Sequence, residues 1–184
     1  MKSAKHLLLV SALGLTTALF AGGALTLGGC ATPPGSSASA DTGTGMMKTF
    51  AIYKDGWNRR DGNAIAAVYH PNGTYTSPTS GGPLPASAVG GFIQGLFTAV
   101  PDCRVEVVSV APVNDHMLAE QWVFKGTWTK PFPGGPLAGV QPSGKSFVLP
   151  GSSFIEIRDG KIVSDTVYFD NLSFLTQIGV IQPK

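Results

Sequence analysis

The segment DGKIVSDTVYFDNLSFLTQIG, residues 159–179, carries most of the fold information in the chain. Asp159-Gly160 stands between two alternating apolar runs, the pattern of a tight β-hairpin. Lys161 to Phe169 continues as a strand. From Leu172 to Gly179 the apolar residues recur at the spacing of an amphipathic helix. Asp170 lies at the seam. It is placed to accept hydrogen bonds from the first turn of that helix, or to exchange a proton with something bound nearby.

Upstream of this segment the period of two persists. The runs CRVEVVSVAPV (103–113), HMLAEQWVFKGTWT (116–129) and KSFVLPGSSFIEIR (145–158) read as successive antiparallel strands. A long Gly/Pro loop, KPFPGGPLAGVQPSG (130–144), joins two of them. The amino-terminal side has a different period. Phe50, Tyr53 and Trp57, then Ile65, Val68 and Tyr69, recur at three and four residues and predict two helices. The break falls at Asp61-Gly62, with Asn63 as cap of the second helix. Pro71-Asn72-Gly73 reads as a turn, TYTSP (74–78) as a short strand, and Ser87 as cap of a helix running to Pro101. Helices followed by an antiparallel meander and a short terminal helix define an α+β domain.

The first residues belong to export rather than to the fold. Lys2 and Lys5 precede the apolar run Leu7 to Phe20, and LTLGGC ends at Cys30. Charge, length and order are those of a secretory signal. The following ATPPGSSASADTGTG is too poor in apolar residues to order itself and reads as a tether. The expected organisation is therefore a signal over 1–29, a tether over 30–45 and one domain over 46–184. Without Lys2 and Lys5 the chain carries eleven basic and eleven acidic residues. No basic tract remains, which argues against a nucleic-acid partner. Cys103, with no His or Asp beside it, reads as a small buried hydrophobe. His70 and His116 fall in turns without ligand spacing, so no metal site is expected. LPGSSF (149–154) lacks the Gly-x-Ser-x-Gly elbow of a serine nucleophile. The Gly-rich stretches lack the Lys and the strand-to-helix setting of a phosphate loop, and read as rims of a pocket mouth.

Three quoted motifs carry a family resemblance. WNRRDGNAIAAVYHPNGTYTSP (57–78), GTW with GVQPSGKSF (126–128 and 139–147), and the opening segment occur in the order found in the SnoaL-like polyketide cyclases, also called ester cyclases. LTLGGC likewise resembles a bacterial lipoprotein box, which implies a lipid on Cys30 and a domain anchored on the outer side of a membrane in the cell envelope. The cyclase resemblance covers Phe50 to the end. It implies the cone-shaped fold related to nuclear transport factor 2, in which a curved antiparallel sheet wraps around amino-terminal helices and encloses an apolar pocket. It also implies no cofactor, a small apolar ligand as partner, an oligomeric state that includes a homodimer, and Asp170 as general acid/base. The sequence departs from the family pattern where Thr76, Ser77 and Pro78 replace a polar triplet, where Trp128 replaces a His, and where Gln121 replaces an Arg.

Parity assigns faces. Asp165 and Asp170 fall on opposite sides of the last strand, so they form no carboxylate pair, and Asp165 is expected to face solvent. Tyr168 is expected beside Asp170 at the pocket. Glu120, Trp122, Phe124 and Trp128 share one parity, with Trp128 as pocket wall. Tyr53 and Trp57, one helical turn apart, close the other wall, and Tyr75 and Ser77 add a ring and a hydroxyl. Two functions follow from different classes. One is an exported binding module for a small apolar molecule; the other is a cyclase or isomerase of a polyketide-like or steroid-like substrate. The export signal favours the first, because polyketide cyclases work beside a cytoplasmic synthase.

Overall fold

The computed structural model describes residues 37–182. Cys30 and the signal segment lie outside them. Helix α1 (Ser37–Arg59) begins within the segment expected as tether. Met46, Phe50 and Tyr53 form its buried stripe. It ends where Arg60 takes a left-handed backbone (φ 55°) and the Asp61 N–H returns to the Gly56 carbonyl. Helix α2 (Gly62–Ala66) is capped by Asp61, whose carboxylate accepts the Ala64 N–H at 2.9 Å, so Asn63 is not the cap. Helix α3 (Ala86–Ala99) follows β1 (Tyr69–Thr76) and the two-residue β2 (Leu84–Pro85). Its N-cap is Pro85 with no side-chain hydrogen bond, rather than Ser87.

The meander is where the alternation placed it: β3 (Arg104–Asn114), β4 (Met117–Thr127), β5 (Ser146–Arg158) and β6 (Lys161–Phe169), followed by α4 (Asn171–Gln177). In the β5–β6 turn both Asp159 (φ 50°) and Gly160 (φ 70°) are left-handed, the geometry that matches strand twist in a two-residue hairpin. The strands form a single six-stranded sheet in the order β2-β1-β6-β5-β4-β3.

The sheet differs from the expected antiparallel one at a single joint, where β1 pairs with β6 in parallel. Strand β1 also starts earlier than expected, at Tyr69, and absorbs the Pro71-Asn72-Gly73 turn as an irregularity between Tyr69 and Thr74. Tyr75 therefore lies beside Asp165 in the register, and Asp165 beside Ile155 of β5 on its other flank. One apolar core gathers the helices onto the inner face of the sheet. Gly151 on β5 lets the Trp122 indole of β4 lie across that face, because a Cβ there would overlap the ring. Cys103 is buried as expected, and burial pushes its thiol up to about 11.

Candidate functional site

A cavity of about 360 Å³ opens between the helices and the inner face of the sheet. That is within the size range of small-molecule sites. Its walls are mostly apolar. Trp57 from α1, Phe92 and Leu96 from α3, Trp122 and Phe124 from β4, and Phe169 from β6 supply much of the surface. Trp57 stands edge-on to Phe97, and Trp122 edge-on to Phe169, which fixes both indoles. The segment Phe132–Leu137 of the long Gly/Pro loop forms part of the lining. Pro133 packs so closely on Gly95 of α3 that a Cβ at position 95 would sit 2.7 Å from its ring.

The polar groups gather at one end. Tyr53 and Lys54 are consecutive on α1, and together with Glu120 and Ser153 they line the cavity. Lys54 Nζ is 3.2 Å from Glu120 Oε1, with side-chain exposures of 12% and 2%, so this is a buried ion pair. Burial lowers the pKa of Lys54 and raises that of Glu120, and the pairing opposes both shifts. Ser153 accepts the Trp122 indole N–H at 2.8 Å, which leaves the serine hydroxyl free to donate.

Behind Tyr53 lies a carboxylate that the cavity does not reach directly. Asp165 is 1% exposed, and its Oδ2 accepts the Tyr53 hydroxyl and the Tyr69 hydroxyl, each at 2.9 Å. Its Oδ1 is buried and has no hydrogen-bond partner among the described residues. Burial pushes this carboxyl up to about 6, against the lowering effect of the two phenols and of Lys54; Glu120 adds to the rise. Burial first, and then the Asp165 charge, raises the phenols of Tyr53, Tyr69 and Tyr75 above their ordinary value. These phenols therefore act as neutral hydrogen-bonding groups.

The sequence-predicted site residues divide. Tyr53, Trp57 and Tyr75 line the cavity as expected. Asp170 does not: it is exposed, and its Oδ1 accepts the Ser173 N–H at 2.9 Å as N-cap of α4. Of the two readings of Asp170, the structure shows the capping one: the strand ends at Phe169, and the capping turn carries the carboxylate out to solvent, away from the cavity lining. Tyr168 is 55% exposed on the outer face, stacked edge-on against Phe154. Trp128 lies past the end of β4, buried behind the lining residue Phe132, and donates its indole N–H to the Lys130 carbonyl. Ser77 closes a turn with Ser80 and is not part of the lining.

Asp165 is the reverse case. It was expected at the surface and is among the most buried side chains in the domain. The two aspartates do face opposite ways, but which of them points inward is the opposite of the expectation. The signal was available. Asp165 shares its parity with Val167 and Phe169, whereas Tyr168 shares its parity with Ser164 and Thr166. Polar parity marks the outer face.

Helices laid on the inner face of a curved mixed sheet, with an apolar cavity between them, are the ketosteroid isomerase and nuclear transport factor 2-like fold. The chain belongs to the SnoaL-like polyketide cyclase family, whose model it matches over residues 48–178. Solved structures share the fold at low identity. AclR of Streptomyces galilaeus, a proposed hydroxylase, aligns with TM-score 0.62 and 21% identity over 76% of this chain and 85% of its own. A Catenulispora acidiphila protein with a ketosteroid isomerase-like fold, in complex with trimethylamine, gives TM-score 0.59 and 18% identity over 74% and 98%. TerC, co-crystallised with polyporic acid, gives 0.58 and 16% over 73% and 98%. Among curated proteins, none matches the sequence.

Proposed function

We propose that this chain is an envelope-tethered binding module that holds a small molecule with an apolar body and one polar end. The observation that carries the reading is the cavity itself, about 360 Å³ of mostly apolar wall with its polar side chains gathered around Tyr53, Lys54 and Glu120. A ligand of roughly two fused rings would bury its body against Trp57, Trp122 and Leu96 and present its polar atom to Tyr53 and Lys54. The neighbours crystallised with small molecules support a pocket that takes such guests. The membrane tether rests on Lys2, Lys5, the Leu7 to Phe20 run and Cys30. Cys30→Ala should release the protein from membranes into the soluble fraction; unchanged membrane retention would remove the lipid from the reading.

The pocket is tested by titrating the purified domain with a bicyclic probe, 2-naphthol, and following the fluorescence of Trp57 and Trp122. Leu96→Trp narrows the cavity and should weaken binding at least tenfold without loss of fold. Equal affinity in that variant would move the binding site elsewhere.

The enzymatic reading, cyclisation or isomerisation of a polyketide-like or steroid-like substrate, has one observation in its favour. Tyr53 and Asp165 form a hydrogen-bonded pair in which one member touches the cavity and the other can hold a proton near neutral pH. On that reading the acid/base group is this pair, not Asp170. Asp165→Asn would then abolish turnover of a candidate substrate, and Asp170→Asn would leave it unchanged.

A further inference from the structure

Tyr53 is the described residue that both lines the cavity and bonds to Asp165. A phenol has one proton to give and two lone pairs to offer. The Tyr53 proton points away from the cavity, toward Asp165 Oδ2 at 2.9 Å. Tyr69 meets the same oxygen from β1 and, unlike Tyr53, is not part of the cavity lining. While Asp165 is ionised, then, the face that Tyr53 turns to a ligand can only accept. Beside it the Lys54 ammonium, with one contact to Glu120, keeps donors for a ligand oxygen.

We infer that the polar end of this cavity is a hydroxyl-recognition site: a ligand O–H donates to Tyr53 Oη while its oxygen accepts from Lys54 Nζ, and the ionisation of Asp165 sets this polarity. The Trp57 indole already donates to the Tyr53 hydroxyl, so one lone pair is left for a ligand. An ether or ketone of the same shape can satisfy Lys54 but leaves that lone pair without a donor, and a buried polar group left unpaired is costly. The ligand class is therefore a phenol, enol or alcohol on an apolar body. This deepens the binding reading above and rests on it.

Protonation of Asp165 reverses the polarity. A neutral carboxyl can donate to Tyr53 Oη, which frees the tyrosine hydroxyl to turn toward the ligand and serve ethers and ketones. The other titratable groups facing Asp165 are Tyr53 and Lys54 from α1, Tyr69 and Tyr75 from β1, and Glu120 from β4. The tyrosines stay neutral through the range where Asp165 titrates, around its value of about 6. Glu120 is the group whose own titration must be separated from that of Asp165.

The experiment compares 2-naphthol with 2-methoxynaphthalene, which share a body and differ in the donor. At pH 7.5 the wild-type domain should bind the naphthol at least tenfold more tightly, and the preference should fall toward unity by pH 5, with the fold checked by circular dichroism at both values. Tyr53→Phe should remove the preference at both pH values. Asp165→Asn should remove its pH dependence, since the amide does not ionise and can donate to Tyr53. Tyr69→Phe takes one donor from the carboxylate and should move the midpoint upward while keeping the preference at high pH, a result that a merely structural role for Tyr69 does not produce. Glu120→Gln removes a charge that adds to the rise of Asp165, so it should move the midpoint downward while keeping both the preference at pH 7.5 and its loss on acidification. Equal binding of the two probes at pH 7.5, or a preference that survives Tyr53→Phe, overturns the hydroxyl rule and leaves the pocket reading standing. Failure of both probes to bind overturns both.

Discussion

Asp165 and Asp170 stand five residues apart in one continuous segment and meet opposite physical conditions. Asp170 sits in water, and its carboxylate completes the first turn of α4. Asp165 is enclosed between β1, β5 and α1 and is held by two phenols. The first is a local device that any short helix can use. The second requires residues from distant parts of the chain and keeps an ionisable group out of water at a cost. Structural capping and chemical potential are thus separated along a few residues of β6, and the carboxylate better placed to cap is not the one placed to titrate.

The contrast is sharpened most by breaking the ion pair next to Asp165. Lys54→Met leaves Glu120 buried without its cation and should cost about 3–5 kcal/mol in urea denaturation, whereas Lys54→Met/Glu120→Leu should recover much of it. A loss below about 1 kcal/mol in the single variant would mean that water reaches the cluster, contrary to its burial.

The pH dependence comes next. The Asp165 carboxyl is raised from an ordinary value near 3.8 to about 6, so between those values the folded chain binds the proton that the unfolded chain has released. Its contribution to stability is full below pH 4 and is lost as pH rises to 6. At about 1.4 kcal/mol per pH unit this amounts to roughly 3 kcal/mol. Denaturation midpoints measured across pH 4–7 should show this fall in the wild type and lose it in Asp165→Asn. A slope that persists in the variant assigns the effect to another group, with Glu120 the first candidate.

Smaller effects belong to the exposed aspartate and its neighbour. Asp170→Ala should cost about 1 kcal/mol, the value of a helix cap, and Asp170→Asn close to nothing. Neither should alter probe affinity. If Asp170→Asn abolished binding with stability intact, the division between the two aspartates would fail. Tyr168→Ala, on the outer face, should stay within about 0.5 kcal/mol and leave affinity unchanged.

Much of the fold was legible because it is written in local periods. The alternation of β3 to β6, the Asp159-Gly160 hairpin and the helical spacing of Phe50, Tyr53 and Trp57 each depend on near neighbours. The parallel joint between β1 and β6 depends on a pairing across most of the domain, and no local pattern announces it. The site was less legible for the same reason. Tyr53, Trp57 and Tyr75 were found because large rings on an inward stripe are visible in one segment. Asp165 was misplaced because its face was read by parity from Asp170, itself assigned to the pocket, and not from the apolar company of Val167 and Phe169. Lys54 escaped notice because its burial depends on the position of Glu120, on a strand far along the chain.

The parallel joint also has a consequence for timing. Tyr53 and Tyr69 meet Asp165 across separations of 112 and 96 residues. Contacts of such range form slowly, since the intervening chain must be ordered before they are rewarded. A nascent chain that lacks β6 can form its helices but has no carboxylate behind Tyr53. The hydrogen-bonded cluster around Asp165 is therefore one of the last features the polypeptide acquires.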